Sequence, residues 1–301
     1  MACYHPVVVP IKRKSLSGRG VYDELEVGCG VCLGCRAEQA RDWAVRIMHE
    51  LEMHESAWFV TLTYSNEELP ENGSLRPEDL RGFFKALRRQ YKEVRYYVCG
   101  EYGEISQRPH YHAVLFGPDF LDRSAVRSSG ASDVWRSECL ERAWPYGLSE
   151  FGSVNYASAS YVAGYVQKKV TARQDPEAYL RVDDETGELV YVEREFARMS
   201  LRPALGRRWL RQFWSDVYPR DFIVMNGREY RPPRYYDKLM DGDCRSDEPC
   251  FAGKCEVHKR LMMEVREKRI GEHEDVSEYH RQAREKAHEA RSRLFASRSG
   301  V

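Results

Sequence analysis

The 301-residue sequence lacks several features that would assign it to a specialised class of protein. It has no excess of charge, because 47 Lys and Arg residues balance 47 Asp and Glu residues, which excludes a strongly basic protein that coats nucleic acid. It has no run approaching the roughly 18 consecutive apolar residues of a membrane span. It also has no Gly-x-x-x-x-Gly-Lys-Ser/Thr phosphate loop, so we expect no ATP-driven helicase activity. The hydrophobic share of 42% and the charged share of 31% are typical of a soluble globular protein.

The N-terminal sequence and the cysteines indicate an intracellular, reducing compartment. The first residues lack the apolar core of a signal peptide, and the nine cysteines are an odd number, which argues against a disulfide framework. The spacing Cys29-x-x-Cys32-x-x-Cys35 favours metal ligation. A closed zinc site needs a fourth ligand, for which Cys3 is the candidate and His5 the substitute. Free thiols and an iron–sulfur centre are the alternatives.

A second group of possible zinc ligands follows much later in the chain. Its spacing is irregular, so free cysteines are an equally good interpretation. The four residues are Cys244, Cys250, Cys255 and His258.

Composition and periodicity predict three segments. Residues 1–35 are rich in Gly, Pro and Cys and form a loop-rich N-terminal segment with a metal knot. Residues 36–215 form the main domain, and residues 216–301 form a C-terminal extension. The extension carries a hairpin at Asn226-Gly227, the Cys/His loop and a charged helical tail.

Apolar periodicity in the main domain predicts an α+β fold with an antiparallel sheet. Strands are expected at 57–64, 94–101, 110–117 and 148–156, the middle two joined by a hairpin turn at 103–107. Helices are expected at 36–55, from Pro77 onward, from Ser132 or Asp133 through Ala143, and around Tyr161.

The most informative motif is His110-Tyr111-His112, because residues two apart in a strand project onto the same face. A hairpin centred between Ile105 and Ser106 would set Glu101 opposite His110, so that Glu101 becomes the third metal ligand. A one-residue slip would favour Glu104 instead. Two imidazoles and one carboxylate suit Mn²⁺ or Mg²⁺ bridging to a phosphate oxygen.

Two tyrosines follow the histidines by about fifty residues. Tyr161 and Tyr165 are four residues apart and share a helix face, and Lys168 lies one turn further on. This arrangement predicts a tyrosine nucleophile that attacks a phosphodiester beside the metal, with Lys168 favouring the phenolate. The second phenol would permit successive transfers. The alternative is that the histidines are an incidental surface pair and the tyrosines are packing residues.

A basic and aromatic segment could contact single-stranded DNA. Arg207, Arg208 and Arg211 interleave with Trp209 and Phe213, and Lys169 is a further candidate DNA contact. The alternative is an amphipathic helix whose aromatic residues pack in the core and whose arginines are solvated.

Three segments together resemble a known superfamily. Residues 59–64 are similar to its first motif, 108–116 to its His-hydrophobic-His second motif and 161–169 to its twin-tyrosine third motif. These residues resemble the HUH endonucleases, in the replication-initiator branch, and most of all the rolling-circle initiators of microviruses, small single-stranded DNA phages. Residues 29–36 and 226–236 are similar to the gokushovirus subgroup.

The resemblance implies a five-stranded antiparallel sheet with flanking helices, an HUH or RRM-like fold, for residues 36–215. It implies a replication initiator that nicks and rejoins single-stranded DNA at an origin through a 5′-phosphotyrosine, leaving a 3′-hydroxyl for the host polymerase. The partners are then origin DNA, a host helicase and a host DNA polymerase, in the cytoplasm of a bacterial host, with no membrane. Some relatives carry lysine where this chain has Gly164, so we favour Tyr165 as the first nucleophile.

Two further functions compete with this interpretation. One is a transposase or conjugative relaxase of the same superfamily, although relaxases usually place tyrosine before the histidine motif. The other is a non-enzymatic, zinc-stabilised DNA-binding protein in which the histidines and tyrosines only pack.

Overall fold

The computed structural model describes residues 3–14, 20–128, 133–174, 176–183, 186–218, 220–240, 255–271 and 277–298. Its contacts divide the chain into two compact units. One comprises Met1–Gln39 and Glu272–Val301, and the other comprises Ala40–Gly271. The three segments predicted from the sequence, with boundaries after residues 35 and 215, stay a prediction.

The described residues form thirteen strands and eight α-helices, with two short 3₁₀ turns at Glu71–Gly73 and Pro176–Tyr179. The strands are β1 Val7–Lys14, β2 Gly20–Val27, β3 Ala57–Thr63, β4 Arg95–Tyr102, β5 Pro109–Phe116, β6 Ser124–Ser128, β7 Asp133–Arg136, β8 Ser149–Ser153, β9 Leu180–Val182, β10 Leu189–Tyr191, β11 Phe196–Met199, β12 Ile223–Met225 and β13 Arg228–Tyr230. The helices are α1 Leu33–Leu51, α2 Pro77–Gln90, α3 Glu138–Ala143, α4 Tyr156–Gln174, α5 Arg207–Val217, α6 Arg234–Met240, α7 Cys255–Gly271 and α8 Glu278–Arg298.

The main sheet is antiparallel and has seven strands in the order β11-β4-β5-β3-β8-β7-β6. The predicted α+β class is therefore confirmed, and the predicted strands at 57–64, 94–101, 110–117 and 148–156 correspond to β3, β4, β5 and β8. The five-stranded sheet implied by the resemblance is wrong for this chain. β6 and β7 extend the sheet beyond β8.

Both faces of the sheet are covered by helices, so its central strands are buried on both sides. Because successive side chains of a strand point to opposite faces, β5 directs Ala113 into one cluster and Val114 into the other. The first cluster includes Phe83 of α2 and Leu140 of α3. The second includes Ala44 of α1 and Val162 of α4. The second face is the one on which α4 packs.

Residues that follow the main sheet belong to the same unit and have a core of their own. Leu210 of α5, Tyr236 of α6 and Met262 of α7 are buried with Val45 of α1. The predicted hairpin at Asn226-Gly227 is confirmed: β12 pairs with β13, and both turn residues have positive φ, 51° and 72°.

Two predictions of local structure are wrong. Asp133–Arg136 form strand β7 and not the start of a helix, and α3 begins only after Ser137, whose hydroxyl accepts a hydrogen bond from the Leu140 N–H. Trp135 packs edge-on against Trp58, a contact that fixes the strand.

The N-terminal segment is the second correction, because it contains the hairpin β1–β2 where a loop-rich segment was predicted. The side chains of Val7 and Val8 are about half exposed, so no alternation of buried and polar residues marked the strand. None of the described helices has both the length and the apolarity needed to cross a membrane.

Candidate active site and cysteine cluster

The β4–β5 hairpin brings the three predicted metal ligands together. In its register Glu101 lies opposite His110 and Cys99 lies opposite His112, as predicted from the sequence, so the slipped register that would favour Glu104 is excluded. Glu101 and His112 are buried, and His110 is partly buried. All three side chains project from the face of the sheet on which α4 packs.

The distances within this cluster fit a divalent cation. Oε1 of Glu101 lies 2.6 Å from Nε2 of His110 and 3.2 Å from Nε2 of His112. One ligand atom from each of the three residues lies within 4.8 Å of the others. Neighbouring ligands of an octahedral ion with bonds of about 2.1 Å are about 3 Å apart, so this set can hold Mn²⁺ or Mg²⁺.

The second nitrogen of each imidazole is held by a hydrogen bond. Nδ1–H of His110 donates to the carbonyl oxygen of Arg108 at 3.1 Å, which turns the Nε2 lone pair toward Glu101. Nδ1 of His112 lies 3.1 Å from Oγ1 of Thr61 on β3. Such partners orient metal-binding imidazoles. The sequence prediction gave Thr61 no role, although strand alternation places it across from His112.

The electrostatics of the cluster favour an ionised carboxylate. Burial by itself raises the pKa of Glu101, but hydrogen bonds and charge interactions with His110 and His112 outweigh this effect and lower the pKa below its usual value. An ionised carboxylate is the form that binds a cation.

Both predicted tyrosines of α4 lie beside this cluster. The His112 ring is 5.3 Å from the Tyr161 ring and 6.0 Å from the Tyr165 ring, measured between centroids. The two tyrosine rings are 4.9 Å apart and nearly perpendicular. Tyr161 is 49% exposed and Tyr165 is partly buried, so a strand of DNA can reach Tyr161 from solvent.

The two phenols differ in acidity. Burial raises the pKa of both, and far more for Tyr165 than for Tyr161. The hydrogen bond between the two hydroxyls lowers the pKa of Tyr161 and raises that of Tyr165. Both phenols are therefore neutral at pH 7 until a cation offsets the charge of the phenolate.

The remaining predicted DNA-binding and catalytic residues are only partly described. The side chains of Lys168 and Lys169 lie outside the described part of the chain. On α5, Arg208 forms a 2.7 Å ion pair with Glu93, and Arg211 is exposed. Trp209 stacks on His49 with ring centroids 3.5 Å apart.

The aromatic residues of α5 thus pack internally, as the amphipathic alternative predicted, and Phe213 packs beside Trp209. Arg207 is half-buried at the first position of the helix. DNA contact by Arg207, Arg208 and Arg211 stays a prediction.

Four cysteines of the other unit form a separate cluster. The sulfur atoms of Cys3, Cys29, Cys32 and Cys35 all lie within 4.8 Å of one another. The Cys3 and Cys32 sulfurs are 3.8 Å apart, and four sulfurs bound to zinc at about 2.3 Å are separated by roughly 3.8 Å. The substitute ligand His5 instead pairs with Glu285 at 2.9 Å.

Backbone N–H groups point at the sulfurs. The N–H groups of Cys29 and Cys32 donate to the sulfurs of Cys3 and Cys29, each at 3.3 Å. Burial raises the pKa of Cys32, but hydrogen bonds, chiefly from the backbone of Tyr4 and Cys35, lower it to about 6. A thiolate near neutral pH and four converging sulfurs fit a structural zinc ion.

The second predicted zinc group cannot be located in the same way. Cys244 and Cys250 lie outside the described residues, as do the side chains of Cys255 and His258 in α7.

Comparison with known proteins identifies the relatives of this chain. Residues 57–170, which include all three ligands and both tyrosines, match the family model of replication-associated protein ORF2. Replication-associated protein VP4 of Bdellovibrio phage phiMH2K is 34% identical over 220 residues, which cover 69% of this chain and 65% of that protein. This chain is a relative of phage replication-associated proteins. The predicted resemblance to microvirus-like rolling-circle initiators is confirmed.

Two further relatives support the same assignment. Replication-associated protein ORF2 of Spiroplasma virus 4 is 29% identical over 236 residues, 73% of this chain and 69% of that protein. Replication-associated protein ORF4 of Chlamydia phage 1 is 30% identical over 222 residues, 70% of this chain and 53% of that protein. The chain thus spans about half to two thirds of the length of these relatives. No solved structure matches this chain.

Proposed function

We propose that this protein is a replication initiator that nicks and rejoins single-stranded DNA at an origin through a covalent 5′-phosphotyrosine intermediate. The observation that carries the proposal is the convergence of Glu101, His110 and His112 with the rings of Tyr161 and Tyr165 on one face of the sheet. The names of the relatives, all replication-associated proteins, support a role in DNA replication.

Glu101, His110 and His112 would hold a Mn²⁺ or Mg²⁺ ion. Three protein ligands leave coordination positions for phosphate oxygen and water. Such an ion, when bound, polarises the scissile phosphate and stabilises the charge that develops on it. Thr61 and the Arg108 carbonyl keep the imidazoles turned toward this point.

A tyrosine hydroxyl of α4 then attacks the phosphorus. The new bond joins the phenolic oxygen to phosphorus, and the bond between phosphorus and the 3′ oxygen breaks. The leaving 3′ oxygen takes up a proton and becomes the 3′-hydroxyl that primes synthesis by the host polymerase. Attack of a later 3′-hydroxyl on the phosphotyrosine reverses the exchange and rejoins the strand. No net hydrolysis is needed.

The order in which the tyrosines act is a separate question. The sequence favours Tyr165 as the first nucleophile, with Lys168 as the nearby cation. The hydrogen bond that lowers the pKa of Tyr161 favours Tyr161 instead. Tyr161→Phe and Tyr165→Phe, compared singly, decide between them, because the first nucleophile is the one whose loss prevents the initial adduct.

We propose further that Cys3, Cys29, Cys32 and Cys35 bind a structural zinc ion. Origin DNA, a host helicase and a host polymerase are the proposed partners, inside an infected bacterium. The zinc would stabilise the N-terminal unit and takes no part in the chemistry.

A denaturing gel tests the proposed reaction. The protein is incubated with Mn²⁺ and single-stranded oligonucleotides that tile the cognate genome. We expect a covalent adduct with one of them that is absent with chelator and in the Tyr161→Phe/Tyr165→Phe variant. The double variant should keep its thermal stability, because both phenols lie at the surface of the site. Absence of an adduct with every oligonucleotide would favour a non-enzymatic DNA-binding protein.

A further inference from the structure

A groove beside the metal-ligand cluster takes no part in the reaction described above. Its volume is about 890 Å³, and it is lined by three segments, residues 69–73, 106–109 and 181–183. We call it the hairpin groove, because it lies between the β4–β5 turn and β9. Ligand sites in proteins commonly have volumes of about 300 to 1,000 Å³. The groove is thus large enough for part of a nucleic acid strand.

Arg181 joins the walls of the hairpin groove. Its guanidinium donates to the carbonyl oxygens of Asn72 at 3.3 Å, Gly73 at 3.1 Å and Gln107 at 3.3 Å. It also lies 4.2 Å from the centre of the Tyr102 ring. The loop before α2 and the β4–β5 turn are therefore fixed to the same side chain. The groove is held in shape before a ligand arrives.

Two residues that face the groove have unusual backbone conformations. Asn72 and Gln107 have φ values of 56° and 51°, in the left-handed region that residues other than glycine rarely adopt. Such conformations persist where the surrounding structure enforces them, and they are concentrated at binding sites. Here the carbonyls of both residues are held by Arg181.

The groove continues directly into the metal-ligand cluster. Arg108 and Pro109 line it, and His110 is the next residue along β5. The Arg108 carbonyl accepts the hydrogen bond that orients the His110 imidazole. A strand whose phosphate lies at Glu101, His110 and His112 therefore has its neighbouring nucleotides at the mouth of the groove.

The polar groups of the groove suit an unpaired nucleic acid strand. Arg108 donates to the Tyr64 carbonyl, and Arg181 donates to carbonyls, so both guanidinium groups keep their positive charge toward a phosphate. Two carboxylates, Glu71 and Asp183, also line the groove. Asp183 accepts hydrogen bonds from the backbone and hydroxyl of Thr186 within its own turn.

The hairpin of β9 and β10 adds an apolar face to this edge. Val182 and Leu189 are paired across the hairpin and are 61% and 65% exposed, and Tyr191 on the same face is 71% exposed. Exposed aromatic residues beside basic groups form the surfaces on which unpaired bases stack. Val182 connects this face with the groove.

We infer that the hairpin groove and the adjoining face of Val182, Leu189 and Tyr191 bind the unpaired nucleotides that flank the scissile phosphate. The inference rests on the proposed function for the position of that phosphate. It assigns phosphate contact to Arg108 and Arg181, base contact to Asn72 and Gln107, and base stacking to Tyr191. This subsite recognises unpaired DNA next to the nick.

Binding without chemistry tests the inference separately from nicking. The probe is a fluorescein-labelled single-stranded DNA of mixed sequence and about 20 nucleotides, longer than the roughly 4 to 16 that such sites cover. Its affinity is measured by fluorescence anisotropy in chelator, which prevents cleavage. The variants are Gln107→Glu, which adds a negative charge at constant size, and Tyr191→Ala, which removes a stacking surface.

Matched controls lie on α8. Gln282→Glu adds the same charge at another exposed glutamine, and Tyr279→Ala removes a tyrosine that is 78% exposed. We expect Gln107→Glu and Tyr191→Ala each to weaken binding about fivefold or more, and each control to change it less than about twofold. The effect of Gln107→Glu should shrink as salt is raised, and that of Tyr191→Ala should not.

The outcomes separate this inference from the proposed function. Wild-type affinity in both groove variants overturns the inference, even if the covalent adduct forms normally. Weakened binding in both variants supports it, even if no adduct forms with any oligonucleotide. Unchanged DNA binding in Tyr191→Ala with an altered oligomeric mass would show that the apolar face binds protein, and would also overturn the inference.

Discussion

The two clusters of possible metal ligands differ in composition, closure and surroundings. The cysteine cluster supplies four sulfurs within 4.8 Å of one another, and backbone N–H groups point at those sulfurs. The Glu101, His110 and His112 cluster supplies three ligands and lies against the rings of two tyrosines. Four ligands complete a tetrahedral site, whereas three leave positions for substrate.

The comparison teaches that the number of ligands and the residues beside them distinguish a structural ion from a catalytic one. A closed sulfur site adds its binding free energy to folding. An open site of nitrogen and oxygen ligands can exchange water for a phosphate. Loss of a ligand should therefore change stability in one cluster and reaction rate in the other.

The largest expected effect is on stability. Cys32→Ser removes one sulfur of the closed set, and we expect loss of bound zinc together with destabilisation of the N-terminal unit on the order of 5 kcal/mol. Zinc content per chain and urea unfolding are the measurements. Cys139→Ser, at a buried cysteine outside the cluster, should retain zinc. Retention of zinc by Cys32→Ser would remove the contrast between the clusters.

The next effect is on reaction rate. Glu101→Gln keeps the shape of the side chain and removes the charge that attracts the cation, so adduct formation with Mn²⁺ should slow about 100-fold or more. Zinc content and melting temperature should stay unchanged. Glu104→Gln, an exposed residue in the turn of the same hairpin, is the matched control. Equal rates in the two variants would contradict the assignment of Glu101.

The smallest effect concerns the orientation of an imidazole. Thr61→Val removes the hydrogen bond to Nδ1 of His112, and Mn²⁺ affinity should fall about tenfold. Thr61→Ser should restore it, because the hydroxyl returns. Thr63→Val, on the same face of β3 across from His110, should have little effect. Titration calorimetry with Mn²⁺ measures all three, and equal affinities for the Val and Ser variants of Thr61 would exclude an orienting role.

Short-range patterns made the core of the catalytic hairpin predictable. The turn between β4 and β5 is short, so its centre fixed the pairing of Glu101 with His110 and of Cys99 with His112. The spacing of Tyr161 and Tyr165 fixed their common helix face in the same way. The cysteine spacing predicted three of the four converging sulfurs, and Cys3 was named as the fourth.

Features that depend on distant partners were not predictable. Strand β7 carries Val134 and Trp135, which fit a helix or a strand equally well, and pairing with β8 decides between them. The role of Thr61 depends on a neighbour 51 residues away in the chain. The internal stacking of Trp209 on His49 similarly separates a packing residue from a base-stacking one.

The sequence by itself determined which side chains share a strand or helix face, because strand and helix periodicities are set by local backbone geometry. It thereby determined the three ligands, the paired phenols and the α+β class. Only the tertiary structure decided that the phenols of α4 lie against His112, that the sheet has seven strands, and that Arg181 joins two loops beside His110. These features come from contacts between residues far apart in the chain, and no local periodicity encodes such contacts.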